Sequence, residues 1–210
     1  MGLRKRVSDG LYQVGPGRYY QPTYRRIAEA FAVQNGMALD VGCGPGWVSV
    51  RMAEREPGLT VLGIDHSRQM VTAAKRNGGH IDNLRFEEMD GGQMTLSEGS
   101  VDLVVAVQTA HHWTQPDAVL AEVGRVLKET GRFVLLEADR YAPAVPDGWI
   151  ERARGLWPPD AVVRNGWRRF GMDDAEWTNM RAGICRAGLS VVRDEPFGFY
   201  RCMEAVRERG

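Results

Sequence analysis

No stretch of this 210-residue sequence approaches the roughly 18 consecutive apolar residues of a membrane-spanning helix. The opening MGLRKRVSDG is basic, but no apolar run follows it, so a secretion signal is not expected. Arg6 stands where a Gly2 myristoylation signal needs Ser or Thr. These absences predict no membrane partner and a cytoplasmic location. Net charge is also lacking, since 27 Lys and Arg balance 27 Asp and Glu. That balance argues against a nucleic-acid partner, which usually meets a basic face. Cysteine is scarce: Cys43, Cys185 and Cys202 are odd in number and spaced like no zinc motif, which argues against a disulfide framework and against a metal site. No internal repeat is visible. What is present, 43% apolar and 26% charged residues, is the composition of an ordinary globular domain with room for one full core and a small appendage.

Residues 37–139 alternate between short β-rich runs and helical stretches. MALDVGC leads into a helix expected over 47–56, TVLGID into one over 68–76, and LRFEEMD into a polar connection. VDLVVAVQ is apolar almost throughout, as a strand buried on both faces should be. Val119, Val123, Val126 and Leu127 then share one helix face over 116–128, with Pro116 in its first turn and Gly131 at its exit. GRFVLLEAD reads as the next buried strand. Such alternation predicts a parallel sheet covered by helices. Ahead of it, residues 20–34 read as a helix with Ile27, Ala30 and Phe31 on its apolar face. Behind it, residues 140–177 hold four of the six tryptophans, which suggests an insertion with its own apolar cluster. The chain then closes as two strands around Gly198.

The stretch LDVGCGPG narrows the chemistry. A strand, a glycine turn and a helix in succession bring a ligand to the carboxyl edge of the sheet, and bare backbone lets ligand atoms approach it. A phosphate loop would require Lys after the glycines, and none follows. The dinucleotide fingerprint wants Gly-x-Gly-x-x-Gly or Ala; here Gly42, Gly44 and Gly46 alternate, and Trp47 fills the sixth place. Asp65, ending the next strand, can accept both hydroxyls of a ribose. With Asp40 and Asp90 at neighbouring strand ends, it forms a row of acids that disfavours a pyrophosphate and suits a cation. Cys43 fits the loop as a small space-filler, with no base nearby to make it a nucleophile.

The segments ALDVGCGPGWVS, VLGIDHSRQMVTAAK and MDGGQMTLSEGSVDLVVAVQTAHHWTQPDAVLAEVGRVLKETGRFVLLE resemble the class I S-adenosylmethionine-dependent methyltransferases, in particular their small-molecule branch. The resemblance covers about residues 37–139. It implies a Rossmann-like, doubly wound α/β fold. The sheet would be mostly parallel and seven-stranded with a terminal antiparallel strand, with an N-terminal helix (1–36) and a helical insertion (140–177) before the last helix and strands (178–210). It implies S-adenosylmethionine as cofactor and S-adenosylhomocysteine as product. Asp40, Gly42, Cys43, Gly44 and Gly46 would embrace the methionine part, Asp65 the ribose, and Asp90 and Gly91 the adenine. His66, Met70, Gln108, Tyr20 and Arg25 are further cofactor candidates. The family often has Pro-Gly-Gly where this chain has Glu129-Thr130-Gly131.

Methyl transfer needs alignment of nucleophile, methyl carbon and sulfur more than it needs a metal, and a base only where the acceptor arrives protonated. His111 and His112, just past the fourth strand, are the candidate bases; hydrogen-bonding the loop is the alternative role. Trp113, Trp167 and Arg168 are candidate contacts for a small-molecule acceptor, with cap-building as their alternative. The same residues also allow a cofactor-binding subunit without turnover, or an RNA methyltransferase. Oligomeric state is not legible.

Overall fold

The structure, a computed structural model, describes residues 20–141 and 171–208. In chain order it contains α1 (Gln21–Phe31), β1 (Gly36–Val41), α2 (Trp47–Arg55), β2 (Leu59–Asp65), α3 (Arg68–Gly78), β3 (Leu84–Glu88) and β4 (Val101–Val107). A 3-10 turn (Ala110–His112), α4 (Pro116–Val126), β5 (Leu127–Ala138), α5 (Asp174–Arg186), β6 (Leu189–Phe197) and β7 (Tyr200–Arg207) follow.

The strands form one sheet in the order β3-β2-β1-β4-β5-β7-β6. Pairings from β3 to β5 are parallel, and β7 runs antiparallel to both β5 and β6. The seven-stranded doubly wound architecture is therefore as expected, including the closing pair around Gly198, whose φ of 66° lets the chain turn back. Between β1 and β4 the winding reverses, the point at which a sheet of this kind places its ligand crevice, at the carboxyl ends of the strands.

Alternate residues of each strand serve opposite faces. Ala38, Val61, Leu103 and Val134 pack against α1, α2 and α3, while Leu39, Leu62, Val104 and Phe133 pack against α4 and α5. Both faces are covered, which is why the central strands read as unbroken apolar runs.

Several local expectations are corrected. Helix α1 stops at Phe31, and Ala28 rather than Ala30 completes its buried face with Tyr24 and Ile27. Helix α4 stops at Val126, because Leu127 turns extended (φ −70°, ψ 133°) and pairs with Val101. Gly131 is thus not a helix exit. It lies inside β5, where a Cβ would come within 3.0 Å of the Val101 carbonyl oxygen. The same early strand start takes in Glu129-Thr130-Gly131, where the resembling family has its turn sequence. Trp177 does not belong to a separate cluster: it sits in α5, 1% exposed, in the core shared with α4. Trp149, Trp157 and Trp167 lie outside the described residues.

Candidate functional site

The crevice is built from four connections. The first is the turn after β1. Gly42, Gly44 and Gly46 all take left-handed conformations, with φ of 71°, 53° and 80°. They serve different ends. A Cβ on Gly42 would lie 1.9 Å from Thr109 Oγ1, and one on Gly46 would lie 2.6 Å from the Phe86 ring, so these two permit close packing. A Cβ on Gly44 would meet nothing within 4 Å among the described residues. Gly44 is the glycine that faces open space, where a ligand can lie against the main chain.

The second connection follows β2. The N–H groups of Gly42 and Cys43 donate to the Ile64 carbonyl (2.8 and 2.9 Å), and Gly44 N–H donates to Asp65 Oδ2 (3.0 Å). Asp65 Oδ1 accepts from Ser67 N–H (2.8 Å), fixing the start of α3, where Ser67 caps Met70 N–H. Each Asp65 oxygen has accepted one main-chain hydrogen bond and keeps a second lone pair. Two acceptors therefore remain beside the bare face of Gly44, the number a vicinal diol requires.

Beneath the turn, Asp40 is 2% exposed, and its Oδ2 accepts from Ser49 Oγ at 2.6 Å. Burial pushes its carboxyl up to about 6, against the Ser49 hydrogen bonds, and the nearby Asp65 pushes the same way. Asp40 is thus under the crevice rather than along its wall. Burial, reinforced by Asp40 and Asp65, also drives the Cys43 thiol well above its usual range, consistent with a space-filling role.

The third connection follows β3. Strand β3 ends at Glu88, so Asp90 lies beyond it, exposed, with Oδ1 accepting from Gly92 N–H (2.8 Å). Gly91 passes close to β1: its Cβ position lies 3.2 Å from Val41 Cγ1. His66 is 73% exposed at its side chain, with Nδ1 3.7 Å from Asp65 Oδ1, and Met70 is half-buried. Tyr20, at the start of α1, tilts against Phe199 with ring centroids 6.2 Å apart, and Arg25 is exposed on the same helix.

The fourth connection follows β4, and here sequence reading missed a residue. Gln108 is the one non-glycine with positive φ (54°) among the described residues. Glu137, near the end of β5 and 1% exposed, accepts from Thr109 N–H (2.7 Å), Ala110 N–H (2.5 Å) and Gln108 Nε2 (3.3 Å), and its Oε2 lies within hydrogen-bond distance of His111 Nδ1 (2.9 Å). A single carboxylate thus shapes the whole turn. Its signal in the sequence was one acid inside the apolar run FVLLEA. His112 lies tilted against His111, with ring centroids 3.9 Å apart and planes at 48°, and Trp113 is partly buried against the α4 side of the core. Thr109 packs on Gly42, so the fourth connection adjoins the first. Trp167 and Arg168 lie outside the described residues.

These residues fit an adenosine-bearing cation. The turn offers bare main chain beside the paired acceptors of Asp65, and residues 40–47 hold one acid, Asp40, and no Lys or Arg, which does not suit a phosphate. No group of three or more His, Cys, Asp or Glu able to hold a metal occurs among the described residues. No helix among them is long and apolar enough to cross a membrane.

A family model described as a methyltransferase domain matches residues 39–135. The nocamycin O-methyltransferase of Saccharothrix syringae is 34% identical over 158 residues, covering 73% of this chain and 55% of that protein. The malonyl-acyl-carrier-protein O-methyltransferase of Geobacter sulfurreducens is 28% identical over 202 residues, covering 83% of this chain and 75% of that protein. The chain spans about half the length or less of several curated relatives, down to 38% of a Streptomyces fradiae transposon protein. A crystal structure from Methanococcus maripaludis, assigned to the S-adenosyl-L-methionine-dependent methyltransferases, shares the fold with a TM-score of 0.73 at 16% identity. That match covers 98% of this chain and 92% of the other.

Proposed function

Since the chain belongs to the class I S-adenosylmethionine-dependent methyltransferases, we propose that it moves the methyl group of S-adenosylmethionine onto a small-molecule acceptor, releasing S-adenosylhomocysteine. The observation that carries the reading is the pairing of Gly44, bare and open, with Asp65, whose two remaining lone pairs face a diol-sized need. When bound, the cofactor supplies a methyl carbon already activated by positive sulfur.

The chain's own residues then have the following roles. Asp65 accepts the two ribose hydroxyls. Gly44 lets the methionine portion lie against the main chain, with Gly42, Cys43 and Gly46 holding the turn in shape. Asp40 supplies negative potential from below. Gly91 and Asp90 border the adenine with His66 and Met70, while Tyr20 and Arg25 close the side under α1. Gln108 and the histidines after it line the end where transfer takes place, and the acceptor enters beside Trp113. Two relatives whose names specify O-methyltransferase activity support a small-molecule acceptor.

Calorimetry tests the pocket directly. Both S-adenosylmethionine and S-adenosylhomocysteine should bind, and Asp65→Asn should weaken each by about 100-fold, the scale of two charge-assisted hydrogen bonds. A folded Asp65→Asn variant with unchanged affinity would sink the assignment. Binding in the wild type with no labelled product from any acceptor pool would instead favour a cofactor-binding subunit.

A further inference from the structure

We propose that His111 and Glu137 form a base pair of fixed tautomer that takes the proton from a hydroxyl acceptor, making the reaction an O-methylation of an acidic hydroxyl such as a phenol or enol. This rests on the methyl-transfer reading above and adds the acceptor's chemistry to it.

The argument begins with Glu137. A carboxylate has about four lone-pair sites. Here two main-chain N–H groups reach Oε1, and the Gln108 amide and the His111 ring reach Oε2. Main-chain N–H groups can only donate, so Oε1 is held as an acceptor; with Glu137 ionised, Nδ1 of His111 is the donor to Oε2 and the lone pair of the neutral ring falls on Nε2. A buried acid that sets the tautomer in this way does what a histidine base needs from its orienting partner.

Position supports use of that lone pair. Glu137 is 1% exposed at its side chain, while His111 is 24% exposed, so the fixed end is buried and the ring reaches solvent. Thr109, two residues earlier, packs on Gly42, so the turn that carries the ring adjoins the glycine turn. The main-chain bonds from Thr109 and Ala110 hold the ring's support rigid.

The pair also selects the acceptor. A carboxylic acid is ionised at neutral pH and needs no base, and a thiol near 8.5 needs little help. A phenolic hydroxyl, near 10, loses its proton readily to an imidazole only as the new bond forms. The hydroxyl proton passes to Nε2 while an oxygen electron pair forms the carbon–oxygen bond. The carbon–sulfur bond breaks, its electron pair stays on sulfur, and the imidazolium later yields its proton to water.

Among the described residues, three titratable groups face His111: Glu137 from β5, Glu176 from α5 and His112 on its own turn. Burial alone would lower the ring's pKa, but the Glu137 hydrogen bond and charge, helped by Glu176, leave it raised above 6.5. Activity should therefore fall with decreasing pH through a midpoint above 6.5.

The test uses histidine-15N-labelled protein, with and without S-adenosylhomocysteine. Expected are a protonated Nδ1 and a bare Nε2 at His111 above its midpoint, and a lower midpoint in Glu137→Gln. An Nε2-protonated ring, or a midpoint unmoved by Glu137→Gln, overturns the pair. In parallel, labelled S-adenosylmethionine is offered to panels of phenols, benzoic acids and primary amines. Label in phenols, with kcat reduced about 100- to 1,000-fold in His111→Asn and little change in KM, supports the proposal. Label confined to acids or amines overturns it, and so does no label at all. His111→Asn keeps an amide donor for Glu137, so the turn should stay folded. Unchanged calorimetric binding of the cofactor in both variants separates failure of the base from failure of the pocket.

Discussion

Two glycines of one turn should respond differently to the same methyl group. Gly42→Ala puts a Cβ into Thr109 and should unfold the turn, lowering Tm well beyond the effect of backbone strain. Gly44→Ala meets no atom of the described residues, so its cost should be the left-handed strain of about 1–2 kcal/mol. Its heat of binding to S-adenosylmethionine should nevertheless vanish. Thermal melts and calorimetry on the two variants would separate structure from ligand contact. Asp40 gives a second residue-level expectation. Its folded carboxyl binds a proton more tightly than the unfolded one, 6 against 3.8, so this contribution to stability is present below 3.8 and lost as pH rises through about 6. Asp40→Asn should remove that slope and raise stability at pH 7 by up to about 3 kcal/mol in denaturant melts. The same titration should weaken cofactor binding in the wild type between pH 7 and pH 5, as the charge beneath the turn disappears.

Among the elements, α5 is closed by a reciprocal cap: Glu176 N–H donates to Asp173, and Asp173 N–H donates to Glu176. Asp173→Ala should cost about 1 kcal/mol, seen as a Tm lower by about 2–4 °C. The helix as a whole should remain, since Trp177, Met180 and Ile184 anchor it in the core. Elements differed in how well they could be read. The strands β2 and β4 and the helices α2 and α3 carry their period and their caps locally, so their positions follow from neighbouring residues. The end of α4 did not, because Leu127 leaves the helix to pair with Val101, 26 positions earlier, and no local signal marks that choice. Trp177 was misread for the same reason: composition near it suggested a separate cluster, while packing against α4 placed it in the main core.

For the molecule as a whole, the antiparallel β6–β7 pair is an integral part of the sheet. Strand β7 pairs along β5 from Arg132 to Ala138, and Arg132 links Glu204 of β7 to the Phe31 carbonyl of α1. A chain ending at residue 188 would leave β5 as a bare apolar edge. It should be recovered as aggregate, checked by size-exclusion chromatography against the full chain.

The sequence alone determined the parts that depend on near neighbours: the alternation of strand and helix, the glycine turn, and Asp65 as the acid following it. Each of these is set by residue types a few positions apart, through propensity, period and backbone freedom. Tertiary structure alone decided which acids do what. Asp40 left the crevice wall because Ser49 and the sheet buried it. Glu137 became the centre of the turn after β4 because four hydrogen-bonding groups, 26 to 29 positions earlier, converge on it. The physical reason is the same for both. A carboxylate's role follows from its solvation and its hydrogen-bond donors, and these come from segments distant in the chain.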